Sequence, residues 1–217
     1  MIRTVIFDMD GVIIDSEPVY FEIDKQMFEE LNITVPFEEH CTYVGASSQN
    51  MWDAIVKKHK IADQPEELMK KEHVLYMKHL VDANDLQPID GVIELINELY
   101  EKNLKLILAS SSRMEVINII LQKFKLSDLF IAKVSGSELE NSKPHPEIFL
   151  RSAALIRSEP SQCVVIEDSK NGVTAAKAAG MKCIGFSNPS SGDQNLVSAD
   201  MVIRSFKELN ARIIKGL

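Results

Sequence analysis

No apolar run in this 217-residue chain approaches the roughly 18 residues needed to cross a bilayer, which argues against a membrane-spanning segment. Basic residues are in deficit, 24 Lys plus Arg against 32 Asp plus Glu, for a net charge of −8. Counterion release from nucleic acid needs a clustered basic surface, so broad nucleic-acid binding is not expected. Cysteine is scarce. Cys41, Cys163 and Cys183 are odd in number and lack CxxC spacing, and no charged-then-apolar leader is visible, so the expected setting is a reducing cytoplasm. Internal repeats and low-complexity tracts are absent. What is present, 45% hydrophobic residues, suffices to bury the core of one large domain or of a domain with an insertion, with a monomer as the default.

Periodicity divides the chain into two textures. Short β-branched runs at 3–9, 104–109 (LKLILA), 131–134, 163–166 (CVVI) and 182–186 (KCIGF) read as strands buried on both faces. Helical patterns lie between and after them at 92–102, 115–125, 146–156, 172–179 and 206–214. That alternation predicts βαβ units and an α/β fold with a doubly wound parallel sheet. Residues 16–84 contain no convincing strand and offer helical patterns at 19–31, 50–59 and 66–81, broken by Pro36, Gly45 and Pro65. They read as a helical insertion whose 13 acids against 7 lysines hold most of the negative charge. The expected division is a core of 1–15 and 85–217 with an inserted domain at 16–84.

The strand ends carry the chemistry. In an open α/β sheet, ligands bind beyond the carboxyl ends of the strands, which is where FDMDG places Asp8 and Asp10. Gly11 permits the tight path that would let both carboxylates approach one site, although a strand-ending turn would also explain them. The LKLILA run ends in Ser110, Ser111 and Ser112, hydroxyls suited to an anionic oxygen or, more plainly, to a helix N-cap. NSKPHPE sets Lys143 beside a rigid turn, where a solvated lysine is the plain reading. After CVVI come Glu167 and Asp168, adjacent acids whose repulsion calls for a hard cation, Mg²⁺ being the best match. Acid pair, hydroxyl, lysine and second acid pair together make an inventory for phosphoryl transfer.

In this order, FDMDGVIIDSE, LASSS, SKPHPE and VIEDSKNG resemble the four signature motifs of the haloacid dehalogenase superfamily. The whole chain resembles its subgroup of small sugar phosphatases and β-phosphoglucomutase-like proteins. The resemblance implies a Rossmann-like core with an inserted α-helical cap. It also implies that Asp8 is the nucleophile and Asp10 the acid/base, that Ser110, Ser111 and Lys143 hold the phosphoryl group, and that Asp8, Asp10 (through its backbone carbonyl), Glu167 and Asp168 bind Mg²⁺. Such a cap would open and close through linkers near 15–18 and 84–90.

β-Phosphoglucomutases resemble one another in a His just after the first motif and an Arg and a Lys from the cap. The matching places here hold Tyr20, Ser48 and Glu72. The expected activity is therefore hydrolysis of a small phosphorylated metabolite, a sugar or polyol monophosphate, with β-phosphoglucomutase as the alternative. A phosphonate hydrolase, using Lys25 or Lys57, or a non-enzymatic phosphoacceptor module is less favoured. A dehalogenase would need neither Asp10 nor two further metal-binding acids. Glu17, Tyr20, Gly45, Ser47, Ser48, Glu72 and Asn171 are the candidate specificity residues, with residues 43–48 either a specificity loop or an ordinary helix connection. His145 reads as a turn residue, Phe28, Met51 and Trp52 read as cap packing, and residues 187–200 read as a mobile connection.

Overall fold

Apolar residues alternate across both faces of the central strands, so the sheet must be covered on each side. In the computed structural model, which describes residues 1–83 and 86–217, β1 (Thr4–Phe7) leads into α1 (Glu17–Glu30), α2 (Phe37–His40), α3 (Ser48–His59) and α4 (Pro65–Asp82). There follow α5 (Val92–Glu101), β2 (Lys105–Ser110), α6 (Met114–Lys123), β3 (Ala132–Ser135), α7 (Glu147–Leu155), β4 (Cys163–Glu167), α8 (Lys170–Ala178), β5 (Lys182–Phe186), β6 (Met201–Ile203) and α9 (Ala211–Gly216). The strands are parallel in the order β3-β2-β1-β4-β5-β6, with Phe7 opposite Leu108 on one side and Ile166 on the other. From β1 the chain winds out to β2 and β3, then returns to β4 across the sheet. The crevice where that direction reverses lies at the carboxyl end of β1.

Val5, Phe7, Leu106, Leu108, Val164 and Ile166 pack on one face with residues of α5, α6 and α9. Ile6, Ile107, Ala109 and Val165 pack on the other with α7 and α8. This period of two, with both sets apolar, explains why the strands read as continuous hydrophobic runs.

The cap has its own apolar centre. Met27, Phe28, Met51, Trp52, Ile55 and Leu68 form a separate cluster, with the rings of Phe28 and Trp52 5.6 Å apart. Tyr76 and Leu80, farther along α4, join the cluster of the main sheet. The expected domain boundary at 84/85 falls outside the described residues.

Three expectations need correction. β6 has only three residues and lies on the sheet edge, too short to show as a periodic run. The pattern at 206–214 is two pieces, a 3₁₀ turn at Phe206–Glu208 and α9, because Asn210 starts a new helix by accepting the Ile213 N–H (3.0 Å). Residues 187–200 are pinned by hydrogen bonds and not loose: Asn188 Nδ2 donates to the Gly11 carbonyl (3.2 Å), and Gln194 Nε2 donates to the Cys41 carbonyl (3.0 Å). The short α2 also went unseen, since one helical turn carries no period.

Candidate active site

Asp8 is the first residue beyond β1, and its N–H donates to the Ile166 carbonyl (3.0 Å), so the sheet register itself fixes its position. Glu167 ends β4 next door and Asp168 follows it. Lys143 is 1% exposed, with Nζ donating to Asp8 Oδ1 (2.7 Å) and Glu167 Oε1 (2.6 Å). It is therefore a buried bridge between two strand ends and not a solvated lysine. Glu167 Oε2 also accepts from the Ser169 N–H (3.0 Å) and hydroxyl (2.9 Å).

One lysine cannot neutralise three buried acids. Asp8, Glu167 and Asp168 each offer a carboxylate oxygen, and these lie within 4.8 Å of one another. Burial pushes the Asp8 carboxyl up, Lys143 pulls it down, and Glu167 and Asp10 push it up again. Burial raises Asp168 well above the carboxylate range, and Glu167, Glu17 and Asp8 add to that. Excess negative charge on hard oxygen donors fits a divalent cation such as Mg²⁺. Gly11 makes the crowding possible, since a Cβ there would sit 2.0 Å from Asp168 Oδ2 and its φ of +74° suits glycine.

Asp10 is held apart from this group by hydroxyls. Oδ1 accepts from Ser16 Oγ (2.7 Å), and Oδ2 accepts from Ser110 Oγ (3.1 Å) and Ser112 Oγ (2.8 Å). Ser110, fully buried, accepts the Ser112 N–H in turn (3.0 Å). The Ser111 hydroxyl donates to the Gly45 carbonyl in the cap (2.9 Å). In this conformation, then, neither of the two expected phosphate-holding serines leaves its proton free.

The cap closes over the strand ends and leaves a cleft of about 360 Å³. Asp8, Asp10, Ser111 and Ser112 line its floor, and Glu17, Tyr20, Gly45, Ser47, Ser48 and Glu72 line it from the cap. Six of the seven candidate specificity residues are thereby brought to one cavity. The seventh, Asn171, grips the cap from outside, its Nδ2 donating to the carbonyls of Val44 (2.9 Å) and Thr42 (3.2 Å). Tyr20 stacks on Tyr76 with centroids 4.1 Å apart. Burial, with Asp10 and Asp8 next in effect, pushes Glu17 up to about 8, so it holds a proton at neutral pH. Trp52 packs in the cap interior, and His145 accepts the Glu147 N–H within its turn (3.3 Å).

Residues missed from sequence include Ser16, which holds Asp10 together with Ser112, and Ser191, whose hydroxyl donates to Asp168 Oδ2. Asp24 and His40, paired at 2.8 Å on the cleft wall, were missed too. Ser16 sits within the first quoted motif and could have been flagged. Ser191 could not, because only folding brings residues 187–200 against β4.

Residues 5–186 match the family model described as haloacid dehalogenase-like hydrolase. The chain is 30% identical over 218 residues to a β-phosphoglucomutase of Bacillus subtilis, covering 98% of this chain and 93% of that protein. It is 31% identical over 222 residues to hexitol phosphatase B of Escherichia coli, covering 99% and 97%. Its fold superposes on a crystal structure of a β-phosphoglucomutase from Clostridium difficile with a TM-score of 0.87 at 27% identity, over 100% of this chain and 96% of that one. With the match spanning most of the sheet and the whole cap, the chain belongs to the haloacid dehalogenase-like hydrolases.

Proposed function

We propose that the protein hydrolyses a small phosphomonoester, a sugar or polyol monophosphate, through a phosphoenzyme on Asp8. The observation that carries this reading is the division of labour between two neighbouring carboxylates. Asp8 is bound by Lys143 beside Glu167 and Asp168, whereas Asp10, which lines the cleft, is held by serine hydroxyls. A carboxylate oxygen of Asp8 bonds to phosphorus as the ester oxygen leaves, and that oxygen takes its proton from Asp10. Asp10 then removes a proton from water, which attacks the same phosphorus, releasing inorganic phosphate and restoring Asp8. Lys143 offsets charge on the phosphoryl oxygens where it develops. A divalent cation held by Asp8, Glu167 and Asp168 would add positive charge at the same oxygens.

A second reading, a β-phosphoglucomutase, is favoured by one feature. Arg113 lines the cleft and gives a second phosphate something to hold, although Tyr20, Ser48 and Glu72 stand where the mutase cations are expected. Phosphate release from a panel of sugar and polyol phosphates, with Mg²⁺ or EDTA and with Asp8→Asn alongside, separates the two. Metal-dependent release that vanishes in the variant supports hydrolysis. Conversion of β-glucose 1-phosphate to glucose 6-phosphate with little free phosphate makes the protein a mutase.

A further inference from the structure

One short stretch of the core touches three other parts of the molecule at once. Residues 188–194 follow β5 and pass through a 3₁₀ turn at Pro189–Ser191, with Asn188, Ser191 and Gln194 all buried. Asn188 Nδ2 donates to Asp15 Oδ1 (3.2 Å) and Ser190 Oγ to Asp15 Oδ2 (2.7 Å), which ties the stretch to the chain where it enters the cap. Ser191 Oγ donates to Asp168 Oδ2, on the acid group suited to a divalent cation. The Gln194 amide joins these anchors to the cap. Its Nε2 carries two protons and donates to the carbonyl of Ser191 (2.6 Å) and to that of Cys41 in the cap (3.0 Å). Its Oε1 accepts the Lys170 N–H at the start of α8, two residues beyond Asp168 (3.1 Å).

We propose that residues 188–194 couple cap closure to divalent-cation binding, with Ser191 as a positioning residue for Asp168 and Gln194 as the link to the cap. Asp8 is only 3% exposed, so a substrate reaches it when the cap contacts let go, and the cap's separate apolar cluster lets it move as one body. On opening, Gln194 gives up the Cys41 carbonyl and keeps that of Ser191, so the stretch is held at one point fewer. A cation on Asp168 fixes the carboxylate to which the Ser191 hydroxyl is bonded. Ser191, fixed in turn, holds the Gln194 amide aimed at the place the Cys41 carbonyl occupies on closing. Closure then has less left to order. Linkage makes the effect mutual: the factor by which the cation favours closure is the factor by which closure tightens the cation. The inference goes beyond the phosphatase reading, since it needs a cation at Asp8, Glu167 and Asp168 but no particular substrate and no particular fate for the phosphoryl group.

The test uses the whole protein with Mg²⁺ alone and no substrate. Calorimetry gives the Mg²⁺ dissociation constant, and hydrogen exchange read by mass spectrometry gives the opening of residues 41–46 with and without Mg²⁺. In wild type, saturating Mg²⁺ should slow exchange there by ~10-fold. Gln194→Met keeps the bulk and removes both donors, so it should shrink that factor below ~3-fold and weaken Mg²⁺ binding by ~5–10-fold. Ser191→Ala removes only the hydroxyl and should do the same, which also covers the case in which Gln194→Met does not fold. Asn171→Ala separates coupling from simple loosening. It frees the carbonyls of Thr42 and Val44 without touching 188–194, so exchange at 41–46 should quicken while the ~10-fold response to Mg²⁺ survives. Equal slowing by Mg²⁺ in wild type and in both 188–194 variants overturns the proposal and leaves only the pull of a cation on an acidic cap. Loss of the response in Asn171→Ala overturns it too, as does a wild type that binds no Mg²⁺. Failure to release phosphate from any substrate would sink the hydrolase reading alone and alter none of these outcomes.

Discussion

The molecule buries carboxylates in two places and neutralises them in two different ways. At the strand ends, Asp8 and Glu167 share the ammonium of Lys143. In the cap, Asp24 meets His40 and Glu72, Glu72 also meets Ser48 and Trp52, no lysine or arginine is among these partners, and burial pushes both acids up. In the first, a lysine pulls Asp8 back toward the ionised form against burial and its acid neighbours, which together still raise it to about 8. The second gives up charge and keeps acceptor capacity. Two environments thus give the same functional group a buried ammonium in one place and only hydroxyl, indole and imidazole partners in the other.

The harshest way to break that contrast is Lys143→Met. It leaves Asp8 and Glu167 buried without their cation, and should cost about 3–5 kcal/mol in denaturant unfolding as well as at least ~1,000-fold in phosphate release. Next is Gly45→Ala, which joins the two regions sterically. A Cβ at Gly45 would lie 2.1 Å from Ser169 Oγ, and the φ of +76° adds strain of about 1–2 kcal/mol. KM should rise and amide exchange in the cap should quicken, with little loss of global stability. Unaltered exchange would mean that this contact does not hold the cap.

Smaller still is the pH signature of the cap pair. Because the folded value of Glu72 is raised from 4.5 to about 8, the stability it contributes is complete below about 4.5 and is lost as pH rises through about 8. Glu72→Gln removes that loss, so the melting temperature of the variant relative to wild type should climb between pH 5 and 9, at about 2–4 °C per kcal/mol. A constant difference would show that Glu72 is ionised throughout. The smallest effect belongs to Asp200, a surface control. Burial opposes its charge, but Lys177, Lys182 and the Cys183 N–H outweigh this and hold the carboxyl at about 2. Its contribution is present above 3.8 and fades as pH falls toward 2. Asp200→Asn should therefore cost only about 0.5–1 kcal/mol at neutral pH, with the difference closing in acid melts.

The strand-end half of this contrast was legible because chain order and chemistry coincide there. FDMDG, LASSS and VIEDS each put polar residues directly after an apolar run, and parallel pairing brings those ends together. Lys143 was legible as a motif residue but not as a buried one, since no local pattern shows which loop folds inward. The cap half was mostly hidden. Asp24 reads as an ordinary polar position on α1, and its meeting with His40 and Glu72 depends on how three helices cross. The serines on Asp10 illustrate a middle case, visible as hydroxyls beside a motif but silent about which oxygen they would reach. β6 and α2 were missed because three or four residues cannot display a period.

The closed arrangement depends on donors that reach across from the core: Ser111 to the Gly45 carbonyl, Asn171 to those of Thr42 and Val44, and Gln194 to that of Cys41. Each of these core side chains grasps a peptide oxygen, which every kind of amino acid supplies. Apart from the glycine at 45, Asn50, whose Nδ2 donates to Ser142 Oγ (2.5 Å), and His73, 3.5 Å from Glu115, the grip is blind to the letters written in the cap. A lineage could therefore rewrite the cap's inner wall, and with it the choice of substrate, while inheriting the closing contacts unchanged.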